Sequence, residues 1–412
     1  MYKKDLQYYK FCLYGFFKNL RFFDPFLILY LLSKEINFLE IGILYSVREF
    51  IIMIMEIPSG VISDALGRRR TLILSFITYI ASFVLFHFSS NYISILVAMI
   101  AFAFADAFRT GVHKAMIFQY LKVNKWSDYK IDYYGRTRSW SQSGSAVSAI
   151  IAATFVYISG DYNIIFIASV IPYVINMILI YTYPKYLEGE IKKISDISIK
   201  SRFTSVIQAA IFTVKKLQFI KVLTNLSLYT GYYRVVKDYV QPVIKYFALS
   251  LPVLAYLGDE KKIAIIVGVI YSVIYIISAT ASKNSGRFTN KFSNPHKPMN
   301  FTLIIGLIIG LAIGLSFITI NYIWAIIGFV GIVLIENLRK PIGIGLVADL
   351  SEDRAMATTL SLTSQAKSLM AVILAPILGF FADTYSPGAS VALVSIMLLF
   401  ILPVFWLRKN TK

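Results

Sequence analysis

Ten basic side chains (Lys18, Arg21, Arg48, Arg109, Lys114, Arg234, Lys237, Arg339, Lys340 and Lys367) and six acidic ones (Asp24, Glu49, Glu56, Asp106, Asp238 and Glu336) interrupt segments that are otherwise apolar. An ionisable group at the centre of a membrane helix costs at least about 2.5 to 3.5 kcal/mol on insertion scales, so each needs a partner, a wet cavity or a ligand. Acids alone cannot neutralise the basic surplus, and positive charge at low dielectric is offset best by an anion. With a rise of about 1.5 Å per helical residue, Arg21, Asp24, Glu49, Arg234 and Lys367 fall nearest mid-membrane, and Arg109 and Arg339 fall nearer one face. Candidate substrate ligands are therefore Arg21, Arg48, Arg109, Arg234 and Lys367. Asp24, Glu49 and Asp106 are candidate proton carriers, because a carboxylate at membrane depth titrates when its partner withdraws.

Local pairing is the plainer use of the same residues. Asp106 with Arg109, Glu336 with Arg339 or Lys340, and Asp238 with Arg234 are spaced i, i+3 or i, i+4, neighbours on one helix face. Helical phase puts Asp106, Arg109, Thr110 and His113 in one arc, and Arg234, Lys237, Asp238 and Gln241 in another. Lys18 and Lys340 can snorkel. Glu56, just before Pro58, fits packing or gating, and His113 fits a solvated histidine or a proton relay. The 28 Tyr and 31 Phe are expected to cover lipid-facing and interfacial surface, with none assigned to a ligand.

The elements that must position these charges are membrane spans. Of 412 residues 57% are hydrophobic and 15% charged, against roughly a quarter charged in soluble domains. Thr71–Ala105, Ser139–Gly160, Ile263–Ser282, Pro298–Ile335 and Thr384–Leu407 contain no Asp, Glu, Lys or Arg. About 20 apolar residues cross the hydrocarbon once, so the two longest runs are hairpins that turn at Ser89-Ser90-Asn91 and at Asn321. Twelve spans are expected, near 11–32, 41–62, 70–89, 92–116, 138–158, 163–183, 219–245, 263–282, 299–320, 322–347, 355–381 and 386–407. An even number puts both termini on one side. If that side is cytoplasmic, 27 Lys and Arg lie in inside segments and only Lys34, Lys245, Lys261 and Lys262 outside, the bias that sets orientation.

The net charge of +19 is thus largely an orientation signal towards anionic lipid, and no nucleic-acid partner is expected. Lys18, Arg21 and Asp24 break the first apolar segment, so no cleavable leader is expected. Cys12 is alone, excluding an intrachain disulfide or cysteine cluster. His87, His113 and His296 are far apart, no phosphate-cradling Gly-Lys loop is present, and no enzyme, cofactor or metal is expected. The expectation is a monomeric multi-pass protein of the cell membrane with both termini cytoplasmic.

The chain divides into 1–183, a polar connection 184–218 and 219–412, with Phe203–Val214 able to lie on the membrane surface. The halves repeat. Asp106-x-x-Arg109 recurs as Glu336-x-x-Arg339, Ser141-Gln142-x-x-Ser145 as Ser364-Gln365-x-x-Ser368, and Arg21, Asp24, Pro25 as Arg234, Asp238, Pro242, at similar offsets. A parallel repeat of this kind places substrate between the halves near the midplane.

Between spans 2 and 3 lies Gly60-Val-Ile-Ser-Asp64-Ala-Leu-Gly67-Arg68-Arg69-Arg70. It resembles the signature loop of the major facilitator superfamily, G-x-x-x-D-x-x-G-R-[RK], in spacing and position, and Arg109 followed by Gly111 resembles a second family feature. The resemblance extends over the whole chain in span count and 6 + 6 division. It implies an all-α membrane fold of twelve helices in two pseudo-symmetric six-helix bundles, working by alternating access, with Gly60, Asp64, Gly67, Arg68 and Arg69 as gating loop. The matching loop at Gly286-Arg287 lacks the acid. The glycine-proline motif that the family's drug/proton antiporters carry in span 5 is not apparent around Gly144 to Gly160. The expected function is secondary transport of a small organic anion, with protons as a candidate coupling ion. The alternatives are an exporter of amphipathic drugs or lipids and, in another class, a transport-inactive sensor or scaffold.

Overall fold

The computed structural model describes residues 2–188, 204, 217–252, 256–289, 291, 292, 294, 296–350 and 356–407. The surface helix expected at Phe203–Val214 lies outside the described residues apart from Thr204, as do Arg354, Arg408, Lys409 and Lys412.

Fifteen α-helices and no strand occur among the described residues: α1 (Leu6–Lys18), α2 (Leu27–Ser33), α3 (Phe38–Leu66), α4 (Arg68–Phe88), α5 (Tyr92–Arg109), α6 (Val112–Val123), α7 (Lys130–Ser159), α8 (Ile164–Tyr181), α9 (Leu217–Val236), α10 (Val240–Ser250), α11 (Asp259–Thr289), α12 (His296–Ile318), α13 (Tyr322–Asp349), α14 (Met356–Thr384) and α15 (Pro387–Ile401). They make the twelve spans because three spans are broken in two. α1 and α2 form the first, α5 and α6 the fourth, and α9 and α10, joined by a 3-10 turn at Lys237–Tyr239, the seventh. Among the described residues nine spans are long and apolar enough to cross a membrane by length and composition alone. The three that are not, the first, second and seventh, carry Arg21 and Asp24, Arg48 and Glu49, and Arg234, Lys237 and Asp238.

The breaks have local causes. Proline has no amide to donate and clashes with the preceding turn, and span 1 leaves the helix over Leu20–Phe26, around Pro25. The amide of Phe22, freed by that break, donates to Ser169 Oγ of α8 at 3.2 Å. In span 4 the break falls at Gly111, whose φ of +82° an L side chain rarely adopts. The hairpins turn where polar residues stand. α4 ends at Phe88 and α5 starts after a capping box of Asn91 and Ser94, and α12 and α13 are separated by Thr319–Asn321.

Packing groups the chain into two compact units. The first holds Met1–Phe26, Ile51–Arg202 and Val267–Tyr275; the second holds Leu27–Phe50, Phe203–Ile266 and Ile276–Lys412. In the first, α4 packs on α5 and α8, and α1 on α7 and α8. In the second, α12 packs on α13 and α15, and α9 on α14 and α13. The outer faces keep large apolar side chains such as Phe88, Ile158, Leu315 and Phe400 exposed, as contact with lipid tails requires.

Candidate functional site

The charged residues of the first unit gather on one carboxylate. Asp106, in the last turn of α5, accepts from Arg109 Nη2 at 2.7 Å and from Arg21 Nη2 at 3.4 Å. Tyr79 of α4 completes the group. Its hydroxyl donates to Asp106 Oδ1 and accepts from Arg109 Nε at 3.0 Å. Arg21 reaches this point because the broken segment after α1 turns its side chain towards α8, where Nε donates to the Tyr173 hydroxyl at 3.1 Å. Tyr173 in turn donates to the Lys18 carbonyl at 3.2 Å, one of the acceptors released where α1 ends. Lys18 lies in the same neighbourhood, within electrostatic reach of Arg21, Asp106 and Arg109. Two guanidinium groups and a tyrosine hydroxyl thus converge on one oxygen, Oδ1, of a single carboxylate, and Asp24 contributes negative charge beside Arg21.

The second unit builds a similar cluster from other helices. Glu49 of α3 accepts from Arg234 Nη1 at 2.6 Å, from Ser368 Oγ of α14 at 3.1 Å and from Arg48 Nη2 at 3.4 Å. Arg234 Nη1 also donates to Ser368 Oγ at 2.9 Å. Asp238, on the 3-10 turn, accepts from Lys237 Nζ at 2.6 Å and from the Tyr45 hydroxyl at 3.0 Å. The Arg48 guanidinium lies 4.5 Å from the centre of the Tyr45 ring, within cation–π range. Within the two pairs the cation is the more accessible partner: the side chains of Arg234 and Lys237 are 30% and 37% accessible, those of Glu49 and Asp238 only 8% each. Lys367, next to Ser368, is buried and adds positive charge near Glu336.

The two helical arcs read from the sequence assume continuous helices. Because α5 stops at Arg109, His113 turns away from Asp106, stacks on Tyr14 at 3.5 Å between ring centres and lies 3.2 Å from the Tyr183 hydroxyl. Because α9 stops at Val236, Asp238 meets Lys237 and Tyr45, leaving Arg234 to Glu49. Gln241 is fully buried and accepts from the Ile28 amide at 2.7 Å. Sequence reasoning passed over Tyr45, Tyr79 and Tyr173, which hold the charges in place. Nothing separates them from the other tyrosines until helix neighbours are known. Ser368 did carry a signal, as a member of the repeated Ser-Gln-x-x-Ser motif.

The loop residues lie in the first unit. Gly67 alone separates α3 from α4, with φ +88°. Gly60 and Asp64 occupy the last turns of α3, both half-buried. Arg68 donates to the Ala115 carbonyl at 3.4 Å, and Arg69 donates to the Tyr183 carbonyl at 3.3 Å and pairs with Glu188 at 3.1 Å. The first two arginines therefore tie the start of α4 to α6 and to the segment after α8. No group of three or more His, Cys, Asp or Glu able to hold a metal occurs among the described residues.

The solved structures this chain is similar to are transporters. A mutant of the nucleoside transporter NupG superposes with a TM-score of 0.78 at 13% identity, covering 97% of this chain and 99% of that one. A POT family transporter in complex with a thioalcohol-conjugated peptide gives 0.69 at 12% identity, covering 97% and 95%. A D-xylose-proton symporter gives 0.66 at 12%, covering 98% of each chain. In sequence, an uncharacterized MFS-type transporter YxaM of Bacillus subtilis (strain 168) is 37% identical over 89 residues, 22% of this chain and 22% of that protein's length. The profile of the Major Facilitator Superfamily matches residues 11–373. With twelve spans, the Gly60–Arg70 loop and a profile match over most of its length, the chain belongs to the Major Facilitator Superfamily and is a secondary transporter.

Proposed function

We propose that this protein carries a small organic anion across the cell membrane by alternating access, its termini in the cytoplasm, with 1–183 and 219–412 as the two six-span halves and 184–218 as their connection. The exposure of two cations beside their buried acids carries the reading: the side chains of Arg234 and Lys237 are partly accessible while those of Glu49 and Asp238 are buried. A cationic cargo would meet the wrong charge first. An apolar cargo would have to strip water from several charged groups with nothing to replace it. The neighbours' titles name a nucleoside transporter, a peptide complex and a sugar-proton symporter, three different cargo classes, so the fold alone selects none. Arg21, Arg48, Arg109, Arg234 and Lys367 are the ligands we assign to the anion.

Proton coupling follows from the same pairs. An anion that takes the Arg234 guanidinium removes a strong partner from Glu49, and a buried carboxylate without its cation favours the protonated form. Asp106 and Asp24 are the corresponding groups of the first unit. Gly60, Asp64, Gly67, Arg68 and Arg69 form the gating loop in this reading. Purified protein is expected to gain thermal stability with carboxylates or phosphate esters and not with organic cations, and Arg234→Gln is expected to abolish that gain. Stabilisation by cationic amphiphiles that survives Arg234→Gln would replace this reading with the exporter of drugs or lipids. Absence of flux in proteoliposomes for any stabilising anion would favour a sensor.

A further inference from the structure

At the end of α3 opposite the Gly60–Arg70 loop, a carboxylate from a distant part of the chain occupies the helix start. The first turn has its own capping pair: Asn37 Oδ1 accepts from the Glu40 amide at 2.8 Å, and Glu40 Oε2 accepts from the Asn37 amide at 3.0 Å. That leaves the amides of Phe38 and Leu39. Both donate to Asp383 at the end of α14, to Oδ1 at 2.8 Å and Oδ2 at 2.7 Å. A charged acceptor on two parallel donors at the positive end of a helix dipole is a strong, directional contact. The backbones beside it touch. A Cβ on Gly379 would run into the Phe38 carbonyl, and one on Gly42 into the Ala375 carbonyl.

We propose that Asp383 is a latch for the transport cycle, holding this end of the protein closed in one state and releasing α3 in the other. Three features distinguish a latch from a permanent clamp. Asp383 is exposed, so water can take over the two amides when the contact opens. The capping pair on α3 is self-sufficient, so the helix start survives release. The matching acid of the repeat is also engaged differently. At the matching place after α7, the Asp161 carboxylate accepts from its own neighbour, the Asn163 amide at 2.9 Å, and stays local. The latch holds one end of the molecule and favours one state over the other, whatever the cargo.

The test uses the full-length protein in detergent with Cys12→Ser and a reporter, Ile41→Cys, a position 1% exposed on α3 just past the latch. A maleimide reads how often this end opens. Asp383→Asn and Asp383→Ala are expected to raise the labelling rate by about fivefold to tenfold, the population shift that follows loss of a charge-assisted pair of hydrogen bonds. Glu40→Gln, which disturbs the local cap and leaves Asp383 in place, is expected to leave the rate unchanged. An unchanged rate in both Asp383 variants, or an equal rise in Glu40→Gln, overturns the proposal, the second because it would signal simple fraying. Should Ile41→Cys not fold, Leu44→Cys, fully buried on the same helix, serves as reporter.

Discussion

The repeated motif Asp/Glu-x-x-Arg is wired differently in its two copies. In the first unit Asp106 and Arg109 pair with each other at 2.7 Å and draw in Arg21 and Tyr79, in a group that remains partly accessible. In the second unit Arg339 is fully buried and turns away from Glu336. Its guanidinium donates to the Met299 carbonyl, to Thr302 Oγ1 at 3.0 Å, and to the Asn225 carbonyl and Oδ1 at 3.0 and 2.8 Å. Glu336 accepts from Thr230 at 3.1 Å. The backbone explains the difference. α5 ends at Arg109, before Gly111, whereas α13 runs on past Arg339 through Pro341 and carries it into the core of Phe219, Val222, Leu226 and Met299. Asn300 and Asn225 extend the same network by holding the carbonyls of Leu407 and Phe405. One copy is a set of exchangeable ion pairs, and the other has become part of the frame.

Breaking the frame has the largest expected effect. Arg339→Leu strands buried acceptors on α9 and α12, and removal of one member of a buried charged network costs about 3 to 5 kcal/mol. The expected outcome is loss of the folded protein or a large drop in Tm by thermal unfolding in detergent. Arg109→Leu, in the accessible copy, is expected to leave Tm within a few degrees of the native value. Equal losses of Tm would make the two copies structurally equivalent and end the comparison.

Next comes the accessible carboxylate. Asp106→Asn leaves Arg21 and Arg109 with no charge between them, and the expected outcome is a folded protein whose uptake falls by about tenfold to a hundredfold, the equivalent of about 1.4 to 2.8 kcal/mol. Fluorescence size-exclusion profiles and transport rates measured together check it. Glu336→Gln is expected to reduce uptake less, because its hydrogen bond from Thr230 survives in the amide.

The smallest effect sharpens the comparison at one hydrogen bond. Thr230→Val removes the donor to Glu336 at nearly constant shape, and a buried hydrogen bond to a charged group contributes about 1.5 to 3 kcal/mol net. A modest fall in Tm, well below that of Arg339→Leu, is expected. An unchanged Tm would assign Glu336 to the surrounding charge of Lys340, Arg339 and Lys367 instead.

Much of this is legible in the sequence. The hinges at Ser89-Ser90-Asn91 and Asn321 fall where helices end, and Pro25 marks the break in span 1. Among the charges named from the sequence, Arg21 and Arg109 meet at Asp106, and Arg48 and Arg234 meet at Glu49. Their partners were less legible. The i, i+4 spacing of Arg234 and Asp238 suggested a pair, but the 3-10 turn at Lys237–Tyr239 redirects both side chains. Asp383 lies at a polar span end, where an acid attracts no notice.

Composition, charge bias and residue period determine which segments enter the membrane, how many do, and how much unbalanced positive charge goes with them, because the transfer of each segment into hydrocarbon depends on its own residues. The joining of Glu49 to Arg234, the sealing of Arg339 among carbonyls and the seating of Asp383 on the amides of Phe38 and Leu39 were decided by tertiary structure. Each depends on two helices meeting at one depth and one rotation. Small residues such as Gly42 and Gly379 allow that approach, but only folding selects the helices that make it.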